Sequence, residues 1–375
     1  MNTLRALSTY VVPVALLLAL AGCGSNGAGG GPPGGGESGP EVLFGAPAEA
    51  LLNTFVDATV NPSTGGFSSV SILVVPYLGS GGIAAVGAQF LYVSLPNGQL
   101  FGYSIDQTTG TLTSLAGSPF SLGPGASPQG LAAAPNGHFL YVADASRIDA
   151  FSVDSVTGAL TPITGSPFTS GTNQQLVADP SGKFLYASDD DPPGGILAFT
   201  IGPTGALTAV PGSPFTIPGQ TSANSQPVGI VDTGSFVYAG LTADDEIAAF
   251  SIDGGTGALA RVPGSPFSAG SFPNVLALAN SFLYAANWQD SSISAYSIDP
   301  GSGVLAPVPG SSFATSGVEI VGEPSGKYLY VSTGVGLGDY NIDPATGALS
   351  PGVTSLSNEG GLWLTVVQLP SPAAQ

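Results

Sequence analysis

The sequence predicts an all-β fold: a seven-bladed β-propeller of four-stranded blades, closed by one C-terminal strand joining three N-terminal strands. Three observations predict it. A hairpin motif recurs seven times, its anchors 44 to 51 residues apart. Each interval holds strand and turn signals for four strands. The first interval lacks an innermost strand, and the C-terminal end has one to spare. Four-stranded units of roughly 40–50 residues are the signature of propeller blades.

The hairpin reads aromatic, Ser or Thr, β-branched, Asp, and then Gly-x-Leu. Tyr103-Ser-Ile-Asp106 leads to Gly110 and Leu112, and Phe151-Ser-Val-Asp154 leads to Gly158 and Leu160. Phe199-Thr-Ile-Gly202 with Gly205 is a copy shortened by one residue. Phe250-Ser-Ile-Asp253, Tyr296-Ser-Ile-Asp299 and Tyr340-Asn-Ile-Asp343 run on to Gly257, Gly303 and Gly347, and Asn61 with Gly65 is a degenerate first copy. Alternation with period two marks a strand. The Asp then accepts backbone N–H groups as an Asx turn, Pro62, Pro300 and Pro344 preset a turn dihedral, and the Gly supplies a positive φ. These aspartates read as structural hairpin tips.

The remaining signals fill the unit. Gly-Ser-Pro-Phe follows the hairpin at 117–120, 165–168, 212–215 and 264–267, and softens to Gly310-Ser-Ser-Phe313. A variable loop leads to a small-residue strand (131–134 in one copy), then a tight turn such as Pro-Asn-Gly137 or Pro-Ser-Gly182, then Phe139-Leu-Tyr-Val142 or a sibling. Counted outward, the strands are small-residue, Phe-Leu-Tyr-Val, aromatic-Ser-Ile and Ala-Leu-Thr.

The ends predict ring closure. Val42-Leu-Phe, 51–60 and 67–75 supply three strands without an inner one, and Leu362-Trp-Leu-Thr-Val-Val-Gln-Leu369 supplies the missing strand. Closure removes free edges that would template aggregation.

Ahead of the blades, residues 1–22 read as a lipoprotein signal peptide. Arg5 precedes an apolar run at 11–20, interrupted by Pro13; spanning a bilayer takes roughly twice that, about 20 residues. Leu20-Ala21-Gly22-Cys23 resembles the bacterial lipobox, which implies lipidation of Cys23 and a membrane anchor. The alternative is an ordinary secretory signal, and on either reading the chain's one cysteine forms no internal disulfide. Residues 23–40 hold the lipidated Cys and a Gly/Pro-rich tether, and residues 41–375 form the propeller. Gly24, where Asp would retain the protein at the inner membrane, implies an outer-membrane location, periplasmic or surface-exposed.

The formal charge is −19, and −20 once Arg5 is removed. A body this acidic repels nucleic acid and anionic headgroups, which excludes nucleic acid as a partner.

The Phe-Leu-Tyr-Val strand, the Asp-x-x-Thr-Gly-x-Leu hairpin and the Gly-Ser-Pro-Phe run resemble the seven-bladed lactonase-type propellers. These include 6-phosphogluconolactonase-like proteins and relatives with Tyr-Val-Thr-Asn repeats. The resemblance covers roughly residues 41 to 370 and rests on blade scaffold, so it speaks to fold more than to activity. Enzymes of this family use His, Arg and Glu near the channel. This sequence offers neither the His nor an Arg cluster there, and no catalytic residue is carried over.

In a propeller the loops joining blades and those between second and third strands share one face around the channel. On that face the sequence places Gln129, Gln174, Gln175, Asn274, Glu319 and Glu359, mostly amides able to bind hydroxyls or to hold ordered water. Glu319 and Glu359 are the candidate bases. The rim loops are acidic: Asp144, Asp189, Asp190 and Asp191, Asp244 to Glu246, and Asp290. Carboxylates suit Ca²⁺, with Asp189, Asp190 and Asp191 the candidate ligands, but the spacing matches no calcium loop and solvated rim charge is the plainer reading. No other cofactor is implied. His138 follows a tight turn in the slot that siblings fill with Lys183 and Lys327, so it belongs to the opposite face and cannot serve as a base at the mouth. Arg261 falls on an outermost strand, leaving Arg147 as the cation nearest the mouth. A phosphorylated lactone needs a cation cluster, which is missing.

These features lead to the expectation of a lipid-anchored, non-catalytic binding or scaffolding module at the cell envelope, with a glycan, a small neutral ligand or an envelope protein as partner. The alternative is a lactone hydrolase acting on an unphosphorylated sugar lactone, with the channel amides as oxyanion donors. A spacer without a ligand is the third reading.

Overall fold

The repeats fold as antiparallel sheets because each alternates outward and inward side chains between glycine-marked turns. The computed structural model describes residues 41–369 except 48–53, 62, 75–81, 145, 172, 190, 192–193, 218–226, 316, 334–335 and 358–361. The expected signal, the tether, Cys23, Asp190 and Glu359 lie outside the described residues. Every regular element among the described residues is a strand.

The third blade shows the plan. Pro128–Ala133 is innermost, followed outward by Phe139–Asp144, Arg147–Val153 and Leu160–Pro162. Leu140 lies opposite Ala133 on one side and Phe151 on the other, and Phe151 lies opposite Pro162. The outermost strand is in fact broken in two. Phe168–Thr169 also pairs with the third strand, at its other end, with Phe168 opposite Ile148. Gly-Ser-Pro-Phe is the break: the Ser166–Pro167 bond is cis, and Ser166 Oγ accepts the Ala150 N–H at 2.8 Å. A side chain thus takes over a ladder bond where the strand bulges away. Ser118, Ser213, Ser265 and Ser311 do the same in their own blades.

The ring closes as expected. Leu362–Gln368 pairs with Glu41–Pro47, with Val366 opposite Leu43, and Thr54–Val60 and Phe67–Val74 complete that first blade. The other blades run from Gly82, Pro128, Asn173, Pro227, Pro273 and Gly317 outward. All seven innermost strands touch their neighbours around the ring.

One device ties blade to blade. The tyrosine of each Phe-Leu-Tyr-Val strand is fully buried, and its hydroxyl donates to the hairpin-glycine carbonyl of the next blade: Tyr92 to Gly158 (2.6 Å), Tyr141 to Gly205 (3.0 Å), Tyr186 to Gly257 (3.2 Å), Tyr238 to Gly303 (2.9 Å), Tyr284 to Gly347 (2.9 Å) and Tyr330 to Gly65 (3.2 Å). Each of these glycines also sits against the ring that begins the same strand. At Gly257 (φ +76°) a Cβ would lie 2.5 Å from the Phe184 ring. The hairpin position therefore demands glycine twice, for its backbone and for its space. In the first blade Phe44 occupies the tyrosine slot and brings no hydroxyl.

The hairpin aspartates have the predicted role. Asp154 Oδ1 accepts the N–H groups of Val156 and Thr157 and the Thr157 hydroxyl at 2.8–3.1 Å. These bonds hold its pKa below the ordinary value, as they do for Asp106, Asp253, Asp299 and Asp343.

Candidate functional site at the channel mouth

The pairing registers align the seven innermost strands. Ile83, Leu131, Leu176, Ile230, Leu276, Ile320 and Leu364 share one level and are apolar throughout. One step toward the mouth stand Gly82, Gly130, Gln175, Gly229, Val275, Glu319 and Trp363, and Gln129, Gln174 and Asn274 lie one step further out. The sequence put these polar residues in loops leading to the inner strands; they belong to the strands themselves. Gln129, Gln174, Gln175 and Asn274 fall in register shifts of these strands without a ladder partner of their own, whereas Glu319 is paired with Ser332.

Glu319 is the carboxylate this ring brings to the mouth. It sits opposite Ser332, partly buried, beside core residue Ile320. Burial alone pushes its carboxyl well above the ordinary 4.5. The neighbouring blade carries Asn274, whose buried Oδ1 has no hydrogen-bond partner among the described residues. Buried amide oxygens are nearly always paired, so this one is an acceptor left open beside the inner strands. Gln129 and Gln175 are half-buried on the opposite side, and the Gln175 N–H is held by Ser188 Oγ at 3.0 Å. The Gln174 strand position is described, its side chain is not.

The mouth's nearest cation is committed. Arg147 reaches Asp144 at 2.7 Å and Asp149 at 3.1 Å, and donates to the Leu122 carbonyl. Lys183, Lys327 and His138 are exposed on the turn face, and Arg261 is exposed on an outermost strand. The His138 N–H is held by the Asn136 side chain, as a hairpin residue's would be.

The acidic rim loops bind the protein's own backbone. Asp144 accepts the Ser127 N–H, Asp245 the Phe272 N–H and Asp290 the Ser271 N–H. Asp189 is 5% exposed and accepts the Asp191 N–H at 3.2 Å, while Asp191 is exposed. Among the described residues no three acidic, His or Cys side chains are grouped so as to hold a metal ion.

Three features were missed in the sequence. A cavity of about 320 Å³ lies at the far end of the channel, lined by Ala85, Ala133, Ala134, Pro135 and 365–368, with no titratable side chain. Buried carboxylates also pair across blades on the turn face, Asp179 with Asp232 and Glu323 with Glu41. A carboxylate predicted to lie near a turn reads as solvated, and only the ring brings these together. The third is Trp288, 54% exposed on the mouth face, whose signal was a lone tryptophan in a second-to-third-strand loop.

Residues 213–321 match the model of a family described as lactonase, 7-bladed beta-propeller. A periplasmic gluconolactonase of Pseudomonas aeruginosa superposes with a TM-score of 0.69 at 20% identity, covering 88% of this chain and 99% of its own. A proposed 6-phosphogluconolactonase from Bacteroides uniformis gives 0.70 at 21% identity, covering 88% and 100%. One from Bacteroides fragilis gives 0.69 at 19%, covering 88% and 98%. The chain has the seven-bladed propeller fold of these proteins, and residues 213–321 are similar to the lactonase family. Among curated proteins none matches the sequence. At such identities the likeness establishes the shared fold, and what this propeller does must be read from its own mouth.

Proposed function

We propose that the chain is a lactone hydrolase acting on an unphosphorylated sugar lactone, with Glu319 as general base. The observation that carries this reading is a carboxylate raised by burial at the mouth of a lactonase-type channel. A base whose pKa lies nearer neutrality transfers protons more effectively at working pH. Ionised Glu319 takes a proton from water as the water oxygen bonds to the lactone carbonyl carbon. The ring C–O bond then breaks, and the proton passes to the departing ring oxygen, giving the open hydroxy acid. Amide N–H groups from Gln129, Gln175 or Asn274 would stabilise the oxyanion, and Asn274 Oδ1 would accept a sugar hydroxyl. Restriction to unphosphorylated lactones follows from Arg147 being held by Asp144 and Asp149. Likeness to a periplasmic gluconolactonase supports gluconolactone as the first substrate to try and an extracytoplasmic site of action. The lipobox at Cys23 supports an outer-membrane anchor.

The test is turnover of gluconolactone against 6-phosphogluconolactone, corrected for spontaneous opening, by wild type and Glu319→Gln. The expected result is preference for the neutral lactone and loss of at least about 100-fold in kcat on substitution, the range of a lost general base. Activity should rise with pH through an apparent pKa above 4.5, because only the ionised form is a base. Unchanged turnover in Glu319→Gln would overturn the assignment. A second reading, a non-catalytic binding module, draws on the unpartnered Asn274 oxygen; it expects ligand-dependent stabilisation without turnover in the same experiment.

A further inference from the structure

Trp288 lies in the 287–292 loop of the sixth blade, on the mouth face. It and Val156, at a hairpin tip, are the large apolar side chains left exposed among the described residues. Leaving an indole in water forgoes the burial that drives folding, and here the surroundings hold it out. The Trp288 backbone N–H donates to the Phe272 carbonyl at 3.0 Å, and the Gln289 backbone N–H donates to the Ser271 carbonyl at 3.2 Å, which fixes the chain that carries the indole. The Phe272 ring meets it edge-on, centroids 5.5 Å apart at 62°. Phe272 in turn is fixed in the left-handed region at φ +63°, its N–H bound to Asp245 at 2.9 Å. A bulky residue takes that conformation only where its surroundings impose it. The indole is therefore presented, not loose.

A fixed aromatic face with polar groups at its edge suits a pyranose ring. The sugar's C–H face stacks on the indole, while its hydroxyls point outward to groups such as Gln289 and Asp290. The chain's net negative charge favours a neutral ligand of this kind. Phe272 is two residues before Asn274, and Glu319 belongs to the adjoining blade, whose inner strand touches that of Asn274.

We infer that Trp288 and Phe272 form a sugar subsite beside the lactone site, and that the substrate is an aldonolactone at the end of an oligosaccharide. The penultimate pyranose stacks on Trp288 and the terminal lactone reaches Glu319. The substrate part of this inference rests on the lactonase reading; the sugar-stacking role of Trp288 does not. Such a lactone is the product of oxidising the reducing-end carbon of an oligosaccharide, so the reaction that supplies it is a sugar oxidation.

The experiment compares gluconolactone with its β-1,4-glucosyl derivative, cellobionolactone, on wild type, Trp288→Ala and Trp288→Phe. Cellobiose and cellohexaose are titrated against tryptophan fluorescence alongside. The expected result is a KM for cellobionolactone raised on the order of ten-fold by Trp288→Ala, the scale of one lost aromatic contact. Gluconolactone kinetics should stay within about two-fold, with Trp288→Phe recovering part of the loss and the saccharides changing wild-type fluorescence but not that of Trp288→Phe. If neither lactone is opened but the saccharides give that Trp288-dependent signal, the lactonase reading falls and the sugar subsite stands. Equal KM values for cellobionolactone in wild type and Trp288→Ala, or no saccharide signal where neither lactone is opened, would overturn the subsite.

Discussion

Asp232 offers a test of how the ring tolerates carboxylates in its interior. The residue is 7% exposed on the turn face of the fifth blade. Its Oδ1 accepts the Gly234 N–H, and its Oδ2 is buried with no partner among the described residues. Burial first, and the Asp179 carboxylate next, raise its pKa from the ordinary 3.8 to about 7, against a lowering by the Gly234 bond. Between those two values the folded chain keeps a proton that the unfolded chain has released. Stability is therefore full below pH 3.8 and is lost as pH rises to about 7. At about 1.4 kcal/mol per pH unit the loss by pH 8 is about 4 kcal/mol. Asp232→Asn has the shape of the protonated acid, keeps the acceptor for Gly234 and cannot ionise. It should match wild type at pH 3.5 and exceed it at pH 8 by up to about 4 kcal/mol, or about 5 °C in melting temperature for a domain of this size. Thermal scans of both proteins at the two pH values decide it. A variant no more stable than wild type at pH 8, or one equally stabilised at pH 3.5, would refute the reasoning.

Further outcomes follow from the same structure. Tyr186→Phe should cost about 1–2 kcal/mol in urea unfolding, because the Gly257 carbonyl loses a buried donor. Phe44→Tyr should add up to about 1 kcal/mol by supplying the hydroxyl the first blade lacks. Gly257→Ala should cost at least about 2 kcal/mol in the same assay, since it meets both a φ of +76° and the Phe184 ring. Arg147→Met should cost about 3 kcal/mol at pH 8, because it strands Asp144 and Asp149, both nearly buried; the cost should shrink in acid, since burial holds the Asp149 carboxyl above its ordinary value.

The blades were legible in the sequence because they are local: strand, Asx turn, glycine and strand lie within a dozen residues, and the hairpin at Asp154 behaves as its residues dictate. The ring closure was legible because a strand without a blade and a blade without a strand appear in one chain. The Gly-Ser-Pro-Phe run was visible as a motif, but its work was not, since Ser166 bonds Ala150 across a strand break that no local pattern announces. The tyrosine bonds likewise join residues in successive blades, 63 to 71 apart for the five pairs from Tyr92 to Tyr284. At the mouth, the residues facing the channel were legible from register, whereas the burial of Glu319 and the unpaired oxygen of Asn274 depend on neighbouring strands. The preference for a non-catalytic module rested on the missing His and Arg. The burial of Glu319, which supports the hydrolase alternative, is set by the ring and not by its neighbours in the sequence.

The closure by Leu362–Gln368 also sets an order of events during synthesis. Six blades can assemble as they emerge, each from its own continuous segment. The three strands of the first blade cannot, because their partner is made after all the others. Until then they expose an unpaired edge beside a nascent row of sheets, the state most open to mispairing with another chain. A periplasmic or surface destination would lengthen that interval by a passage through a membrane unfolded. Demand for a chaperone should therefore fall most heavily on this one blade, and the yield of folded protein should respond more to changes in the first three strands than to equal changes elsewhere in the ring.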